Sequence, residues 1–268
     1  MKLHGKNIVL TGANGGLGRC LAEQLSACGA HLALAGRSAD SLGEIAKQIK
    51  QSTAKTTVIV ADLLDSVQCT NVIAQAEQAL GPIDLLINNA GLSSFSLFAE
   101  EDPQMLEKII QVNLIAPMLL SRAILPLMQA RGYGRIVNIG STFGAIGFAY
   151  FSAYSGSKFG LRGFSEALRR ELADSPVGIS YIAPRAIRTA LNTGPVMRMA
   201  AAVSMNMDAP KLVAEQVIQS IEQDDDERHL GFPERLFARI NAVFPKIVSH
   251  ALKKQNRTAA TFAGRQHN

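Results

Sequence analysis

The sequence predicts an α/β fold: a single doubly wound domain with a mainly parallel sheet and a C-terminal helical extension. Short apolar runs rich in β-branched residues alternate with longer stretches whose apolar residues recur at helical spacing. A glycine-rich turn joins the first run to the first helical stretch, and residues 235–268 change to a basic amphipathic pattern. These three features indicate one layered domain followed by helix, without a second domain or a linker.

The predicted strands are nearly continuous apolar runs, which is typical of parallel strands covered on both faces. After the first strand, Leu17, Leu21 and Leu25 fall at helical spacing, and Gly29 is placed to end that helix. Repetition of this strand–helix unit predicts the doubly wound sheet. The strands are expected at Asn7–Leu10, His31–Ala35, Thr56–Val60, Asp84–Ile87, Arg135–Ile139 and Gly178–Ile182.

Composition favours a globular protein, since 47% of the residues are hydrophobic and 18% are charged. The three cysteines have no paired spacing, so we expect neither a disulfide framework nor a metal site. The segment from Met1 to Lys6 lacks the features of a signal peptide, which favours a reduced, cytoplasmic protein. Residues 1–234 carry 20 basic and 22 acidic side chains, and we expect no nucleic-acid partner.

The glycine-rich turn from Thr11 to Gly18 directly follows the first strand and opens the first helix. Gly12, Gly16 and Gly18 would let the backbone turn tightly and approach a pyrophosphate held at the helix N-terminus. A tight turn with no ligand is the alternative interpretation. The position between strand and helix favours the phosphate site, with Asn14 and Leu17 as further contacts.

The spacing TGxxxGxG resembles the short-chain dehydrogenase/reductase family, and the resemblance covers roughly residues 5–190. It implies a Rossmann dinucleotide site at the carboxyl ends of successive strands. Taken singly, Asp62 could be a loop cap and Asn88 a turn residue. Further cofactor contacts implied by the resemblance, after the third and fourth strands, are Asp62, Leu63, Asn89, Ala90 and Gly91.

The second strand ends in Arg37, where an NAD-dependent enzyme would place a carboxylate on the ribose 2′-hydroxyl. The Arg37 guanidinium can form charge-assisted hydrogen bonds with a 2′-phosphate, which favours NADP(H) over NAD(H). A solvated loop arginine is the alternative. Many NADP-using relatives also carry a basic residue where this chain has Gly15, so the preference depends mainly on Arg37.

Tyr154 and Lys158 form a YxxxK pair that shares one helix face, and Ser141 follows the fifth strand. Each alone could be structural: a chance helical pair, or a serine that caps a turn. The resemblance implies that Tyr154 is the acid/base and that Ser141 holds the reacting oxygen. The Lys158 ammonium and the nicotinamide charge would lower the pKa of the phenol from about 10, and Tyr154 and Lys158 would also contact the cofactor.

A helix is expected to begin at Asp102 and to run through Asn113 toward Met128. Pro117 has no N–H, so the carbonyl of Asn113 loses its helical partner there. The resemblance makes Asn113 the fourth catalytic residue, whose freed carbonyl could hold a water that relays protons toward Lys158. An amide that only caps a kink is the alternative.

The segment after the sixth strand matches the family pattern PGxxxT, except that Arg185 replaces the glycine. The resemblance places Pro184, Ile187 and Thr189 against the nicotinamide half of the cofactor. Arg185 would either change local backbone freedom or project into the substrate mouth.

Residues 188–209 contain four methionines among small residues, which predicts either a pliable lid over an apolar substrate or an ordinary core-packing helix. We therefore expect a Rossmann-fold catalytic domain over residues 1–234, with this lid, and a basic amphipathic extension over residues 235–268. The methionines are Met197, Met199, Met205 and Met207.

Apolar residues of the extension fall on one helical stripe, although Pro245 should kink or divide the helix. The stripe is expected to dock on its own domain or on a partner subunit. The alternative is peripheral contact with an anionic membrane through residues 235–254. The apolar stripe consists of Leu236, Phe237, Ile240, Val243, Phe244, Ile247, Val248 and Ala251. The basic residues of the same segment are Arg235, Arg239, Lys246, Lys253 and Lys254.

The predicted function is NADP(H)-dependent reduction of a ketone or aldehyde on a hydrophobic substrate, or oxidation of the corresponding alcohol. The alternatives are an NAD-dependent alcohol dehydrogenase of the same family and a non-catalytic, cofactor-sensing Rossmann protein. The family resemblance also implies a homodimer or homotetramer formed through helices near residues 104–130 and 153–172. Candidate contacts, which could equally belong to the core, are Ala153, Phe159, Leu161, Phe164 and Leu168.

Overall fold

The computed structural model describes residues 1–49, 54–192 and 194–263. Their strands form one seven-stranded parallel sheet in the order β3-β2-β1-β4-β5-β6-β7, with the strand order reversing at β1. The predicted doubly wound α/β fold is therefore confirmed. The strands are β1 (Asn7–Thr11), β2 (His31–Gly36), β3 (Thr56–Val60), β4 (Leu85–Asn88), β5 (Gly134–Ile139), β6 (Val177–Ala183) and β7 (Glu227–His229).

Helices connect the strands and extend beyond the last one. The predicted start at Asp102 is confirmed, because its carboxylate accepts a hydrogen bond from the backbone N–H of Gln104 at 3.0 Å. The helices are α1 (Gly16–Ala27), α2 (Ala39–Gln48), α3 (Ser66–Leu80), α4 (Pro103–Ile110), α5 (Ala116–Arg131), α6 (Ser152–Glu171), α7 (Gly194–Ala202), α8 (Pro210–Glu222), α9 (Glu234–Val243) and α10 (Pro245–Ala263), with a π-helical turn, Gln111–Ile115, between α4 and α5.

All six predicted strands are present, and their ends agree with the prediction or differ by one residue. Asp84 precedes β4 and pairs its carboxylate with Lys6 and with the backbone N–H of Asn7. Sequence analysis missed β7, which has only three residues, Glu-Arg-His, and pairs with β6 alone at the sheet edge. A short charged strand has none of the apolar pattern on which the prediction depends.

The sheet separates two large apolar clusters, which explains why its strands are apolar at nearly every position. Along β1, Ile8 and Leu10 face a cluster that includes residues of α1 and α8. Val9, between them, faces the opposite cluster, which includes residues of α3 and α5. Alternating side chains of one strand are thus buried on both faces.

Within the described residues, the continuous helical stretch Pro103–Arg131 is long and apolar enough to cross a membrane, with a mean hydropathy of 1.5 over its most apolar window. In the fold it lies against the sheet: Leu120, Ile124 and Met128 are fully buried in the second cluster. The same helix carries Asn113. One face of this helix therefore belongs to the core.

The C-terminal extension folds into two helices that break at Phe244, before Pro245, as the proline predicts. Helix α10 packs on α7, so the extension docks on its own domain. The predicted stripe is wrong as the docking face, because among its members Val248 is buried whereas Val243, Phe244 and Ile247 are 67%, 57% and 61% exposed. The buried face is formed instead by Val248, Leu252, Ala259, Phe262 and Ala263.

Candidate active site

The carboxyl ends of the strands surround a cavity of about 420 Å³. Loops that follow β1 to β6 contribute to its walls, as expected for a ligand site at the point where the strand order reverses. The structure brings every predicted cofactor-binding residue to this cavity, together with Ser141, Tyr154 and Lys158. Asn113 lies behind the wall rather than in it.

The glycine-rich turn needs glycine because three loops approach one another there. Gly12 has φ +62°, and an added Cβ would lie 2.7 Å from the Cα of Ala90. A Cβ on Gly16 would lie 2.6 Å from Cγ2 of Thr189, and one on Gly18 would collide with the carbonyl oxygen of Gly12. The backbone of the turn therefore lies directly against the backbone of Ala90 and against the side chain of Thr189.

Asn89 and Thr11 hold this turn in place. The Asn89 amide donates to the carbonyl oxygens of Thr11 at 3.0 Å and Gly12 at 3.2 Å. In return, the Thr11 hydroxyl accepts hydrogen bonds from the backbone N–H groups of Asn89 and Ala90. Asn89 is thus a positioning residue for the glycine turn, and sequence analysis did not identify its partner Thr11.

Asp62 and Arg37 lie at the far end of the cavity from the tyrosine. One carboxylate oxygen of Asp62 accepts the backbone N–H of Leu64 at 3.1 Å, so the local-cap alternative for Asp62 describes part of its role. Arg37 is exposed, and within the described residues its guanidinium forms no salt bridge. Its cation is therefore available to an anionic ligand.

Helix α6 places Tyr154 and Lys158 on one face beside Ser141. The Lys158 ammonium lies 5.8 Å from the centre of the Tyr154 ring and donates to the carbonyl oxygen of Ile139 at 3.0 Å. The Ser141 hydroxyl accepts the backbone N–H of Phe143 at 3.1 Å and lines the same cavity wall as Tyr154. The predicted serine, tyrosine and lysine thus form one group.

Burial shifts the pKa values of both titratable groups in this set. It raises the pKa of Tyr154, and the neighbouring Ser141 hydroxyl opposes that change. Burial also lowers the pKa of Lys158 to about 8, since the ammonium is almost fully withdrawn from water. The predicted lowering of the tyrosine pKa is therefore not a property of the polypeptide alone, and it requires further positive charge at the site.

Asn113 lies fully buried in the π-helical turn Gln111–Ile115, the interruption that Pro117 predicted. Its amide donates to the carbonyl oxygen of Leu92 and to the hydroxyl of Ser157, both at 2.9 Å, and its side-chain oxygen accepts the N–H of Leu92 at 2.8 Å. Ser157 in turn donates to the carbonyl oxygen of Tyr154 at 2.7 Å. The Asn113 side chain therefore ties the loop after β4 to the helix that carries the tyrosine.

Tyr181, on β6, supports the serine loop and was missed by sequence analysis. Its ring is fully buried, and its hydroxyl lies 3.4 Å from both the backbone nitrogen and the carbonyl oxygen of Ser141. A Cβ added to Gly140 or Gly144 would collide with this ring. The two glycines that flank the serine indicate such a close approach, although they do not identify the partner.

Aromatic side chains surround the tyrosine at the substrate end of the cavity. Phe143 stacks on Phe148 with ring centroids 5.0 Å apart and meets Tyr154 edge-on at 6.2 Å. Phe143 and Phe151 line the cavity wall. Sequence analysis singled out none of the phenylalanines, whose apolar wall would suit a substrate with an apolar body.

The proposed lid combines both alternatives that its methionines allowed. In α7, Met199 is fully buried and packs with the aromatic residues, as in an ordinary core helix. Met205 and Met207, beyond α7, line the cavity, whereas Met197 is 39% exposed. Val196 also lines the cavity, so the segment covers the substrate end.

Arg185, which replaces the family glycine, fastens the ends of this lid to the extension. Its guanidinium donates to both carboxylate oxygens of Asp208, at 2.8 and 2.7 Å, and to Glu234 at 3.0 Å. It also donates to the carbonyl oxygen of Phe232 at 3.1 Å. These contacts hold the guanidinium at the base of the lid, while Arg185 is also one of the residues that line the cavity.

Comparisons with known proteins agree with this geometry. A family model described as short chain dehydrogenase matches residues 6–199. The ketoacyl reductase HetN of a Nostoc species is 37% identical over 227 residues, which cover 84% of this chain and 78% of that protein. The 3-ketodihydrosphingosine reductase of Bos taurus is 30% identical over 241 residues, which cover 86% and 73%.

A bacterial relative and a solved structure extend the comparison. The 3-oxoacyl-[acyl-carrier-protein] reductase FabG of Rickettsia conorii is 33% identical over 187 residues, which cover 70% of this chain and 75% of that protein. A short chain dehydrogenase/reductase from Burkholderia phymatum, in complex with NAD, has a TM-score of 0.83 and covers 92% of this chain and 96% of its own. Its sequence identity is 21%, so this likeness shows the shared fold.

Proposed function

The chain belongs to the short-chain dehydrogenase/reductase family of oxidoreductases, and from this membership we propose that it uses NADP(H) to reduce the carbonyl group of an apolar substrate, or to oxidise the corresponding alcohol. The observation that carries the proposal is the grouping of Ser141, Tyr154 and Lys158 beside an aromatic wall, at one end of a cavity that begins at a glycine turn.

The residues around the cavity fit a nicotinamide dinucleotide. Glycines allow the turn to pack closely against the Asn-Ala-Gly loop and against Thr189 at the edge of the cavity, and the N-terminus of α1 can hold a pyrophosphate there. When bound, the cofactor supplies the hydride. We assign the pyrophosphate end to Gly12, Asn14, Gly16, Leu17 and Gly18, the adenosine end to Arg37, Asp62, Leu63, Asn89, Ala90 and Gly91, and the nicotinamide end to Tyr154, Lys158, Pro184, Ile187 and Thr189.

In the reaction, Tyr154 gives the proton of its hydroxyl to the carbonyl oxygen during reduction and removes it during oxidation. Ser141 donates a hydrogen bond to the same oxygen and orients the substrate. The Lys158 ammonium stabilises the phenolate that remains on Tyr154, because the two groups share a low-dielectric site. Asn113 holds α6 and its tyrosine in register through Ser157.

The preference for NADP(H) is proposed from the end of β2. No acidic side chain stands there to bind a ribose 2′-hydroxyl, and the exposed Arg37 guanidinium lines the cavity. A 2′-phosphate would receive charge-assisted hydrogen bonds from it. NAD(H) is the alternative cofactor.

The proposed substrate is a ketone on an acyl-like apolar chain. Phe143, Phe151 and Val196 supply an apolar wall next to the tyrosine, and the methionines at the lid base allow chains of different shape to pack. The names of the relatives from Nostoc, Bos taurus and Rickettsia each specify a keto or oxo compound. These names support a ketone rather than an aldehyde.

A chain-length series tests this proposal. Purified enzyme is supplied with NADPH and with 3-keto thioesters of increasing acyl length, and NADPH consumption is followed by absorbance. We expect kcat/KM to rise with chain length, since each buried methylene contributes about 0.8 kcal/mol. No turnover with any ketone or aldehyde would refute the reductase, and equal rates at all lengths would refute the apolar substrate.

We also propose a homodimer or homotetramer formed through α5 and α6. Leu127 and Phe159 are 40% and 42% exposed on these helices. Among the other predicted contacts, Ala153, Leu161 and Leu168 are buried in the protomer and belong to its core. Light scattering with size exclusion measures the mass, and Phe159→Lys should shift an oligomer toward the monomer.

A further inference from the structure

The turn between α9 and α10 presents large apolar side chains to solvent. Val243, Phe244 and Ile247 are 67%, 57% and 61% exposed, and Leu236 and Phe237 are nearly half exposed. Leu236 and Phe237 precede Val243 and Phe244 by seven residues, a spacing that places them on the same face of α9. We call these five residues the elbow patch. Such a cluster is costly in water, and a soluble face would carry polar residues at these positions.

The elbow patch is not required to attach the extension to the domain. Leu252, Ala259 and Phe262 of α10 pack on the aromatic cluster near α7 and supply that attachment. On α9, the Asn241 amide donates to the carbonyl oxygen of Ala145 at 2.9 Å, in the loop that begins at the catalytic serine. The elbow is therefore fixed beside the substrate end of the active site, with its apolar side chains directed away from the core.

The charged side chains around the elbow patch are basic, and they indicate what kind of surface it binds. Arg235, Arg239 and Lys246 are exposed within or beside it, and Lys253 and Lys254 follow on α10. Residues 235–268 contain no aspartate or glutamate. A second copy docked on the same patch would bring like charges together, whereas an anionic lipid surface accepts both the apolar side chains and the cations.

We propose that the elbow patch inserts into the interface of an anionic membrane, so that the mouth of the active-site cavity faces the lipid. Phe237, Phe244 and Ile247 enter the boundary between headgroups and acyl chains. Arg235 and Lys246 pair with lipid phosphates. The contact is peripheral and reversible, and it brings the enzyme to substrates that partition into the bilayer.

Sedimentation with vesicles tests the proposal on the full chain. Wild-type protein is mixed with vesicles of phosphatidylcholine alone or with added phosphatidylglycerol, at low and at high salt. We expect binding to the anionic vesicles that weakens at least about tenfold when the Debye length falls from about 10 Å to about 3 Å. Absence of binding to anionic vesicles would overturn the proposal.

The decisive variant replaces three exposed residues: Val243→Ser, Phe244→Ser and Ile247→Ser. Because these side chains are mostly in water, we expect an unchanged circular dichroism spectrum and melting temperature, with vesicle binding lost. The matched control is Val60→Ser with Val67→Ser, two valines that are 52% and 67% exposed elsewhere on the domain, and it should bind as wild type does.

The oligomeric state and the activity of the triple variant separate a lipid contact from a contact between two copies of the chain. If the triple variant binds vesicles as tightly as wild type, or if it changes a dimer into a monomer, the patch is not a lipid contact and the proposal fails. Activity of the triple variant on a short water-soluble ketone should equal that of wild type, whatever the vesicle result. If the wild-type protein reduces no ketone, the proposed reaction is refuted, and the lipid contact is then tested by sedimentation alone.

Discussion

Replacement of Lys158 by methionine should raise the free energy of unfolding near neutral pH and should abolish the proposed role of Lys158 in catalysis. The ammonium is 4% exposed and has one hydrogen-bond partner among the described residues, the carbonyl oxygen of Ile139. Burial lowers its pKa from the ordinary 10.5 to about 8. Each tenfold change in proton affinity corresponds to about 1.4 kcal/mol, so the charged lysine destabilises the fold by about 3 kcal/mol at neutral pH.

The sign of the pH dependence follows from the same pKa difference. Between about pH 8 and about pH 10.5 the unfolded chain keeps a proton on Lys158 that the folded protein has released, so wild-type stability rises with pH in this window. Between about pH 7 and about pH 9.5 the rise contributed by Lys158 is about 2 kcal/mol. Lys158→Met abolishes this contribution.

The assay is urea denaturation of both proteins, without cofactor, at pH values across that range. For each pH we take the difference in the free energy of unfolding between wild type and variant, and the test is whether this difference changes with pH. The lost hydrogen bond to Ile139 lowers the stability of the variant by the same amount at every pH, so it does not affect the result. The exposed Lys47 on α2 provides the control, and Lys47→Met should give a difference that does not change with pH. A flat difference for Lys158→Met would refute the buried ammonium.

Three other substitutions test the site. Arg37→Asp should reverse a preference of at least about tenfold for NADPH over NADH, a charge-assisted contact being worth about 1.5–3 kcal/mol, and equal titration curves for both cofactors in the wild type would contradict this. Arg185→Ala should lower the free energy of unfolding by about 1.5–3 kcal/mol and raise KM, because the ion pairs of Arg185 with Asp208 and Glu234 are lost. A double-mutant cycle with Asp208→Asn that shows no coupling energy would contradict this role of Arg185. Asn113→Ala should lower kcat with little change in cofactor Kd, because the residue positions Tyr154 through Ser157, and an unchanged kcat would assign it to packing alone.

The sheet could be predicted from the sequence because its information is local. A continuous apolar run specifies a strand buried on both faces, and the glycine turn after β1 specifies how the first helix must begin. The interruption at Asn113 was predictable for the same reason, since the missing N–H of Pro117 acts four residues away. The tyrosine, lysine and serine were predictable from their spacing and order in the family pattern.

The features that were not predicted depend on contacts between distant parts of the chain. Nothing near Arg185 indicates that Asp208 and Glu234 will enclose its guanidinium. Tyr181 supports the serine loop only once β6 lies beside β5. Burial raises the pKa of Tyr154 in the protein alone, so the expected lowering of that pKa depends on the positive charge that a bound cofactor would add.

The C-terminal stripe shows why periodicity alone misplaces a docking face. The stripe over residues 236–251 holds only if helical spacing continues through Pro245, and the predicted break at Phe244 interrupts that spacing. The face that docks is set by the aromatic cluster beside α7, against which Leu252, Ala259 and Phe262 pack. The remaining apolar residues are left at the elbow.

The central claim is that Tyr154 transfers the proton in a nicotinamide-dependent reduction, and the most direct test compares wild type with Tyr154→Phe in a single turnover of preloaded NADPH. The substitution removes one hydroxyl and keeps the ring that packs on Phe143. The proposed mechanism predicts that the variant folds, binds NADPH with an affinity close to that of wild type, and reduces the ketone at least about a hundredfold more slowly. Reduction at the wild-type rate by a folded, cofactor-loaded variant would contradict it.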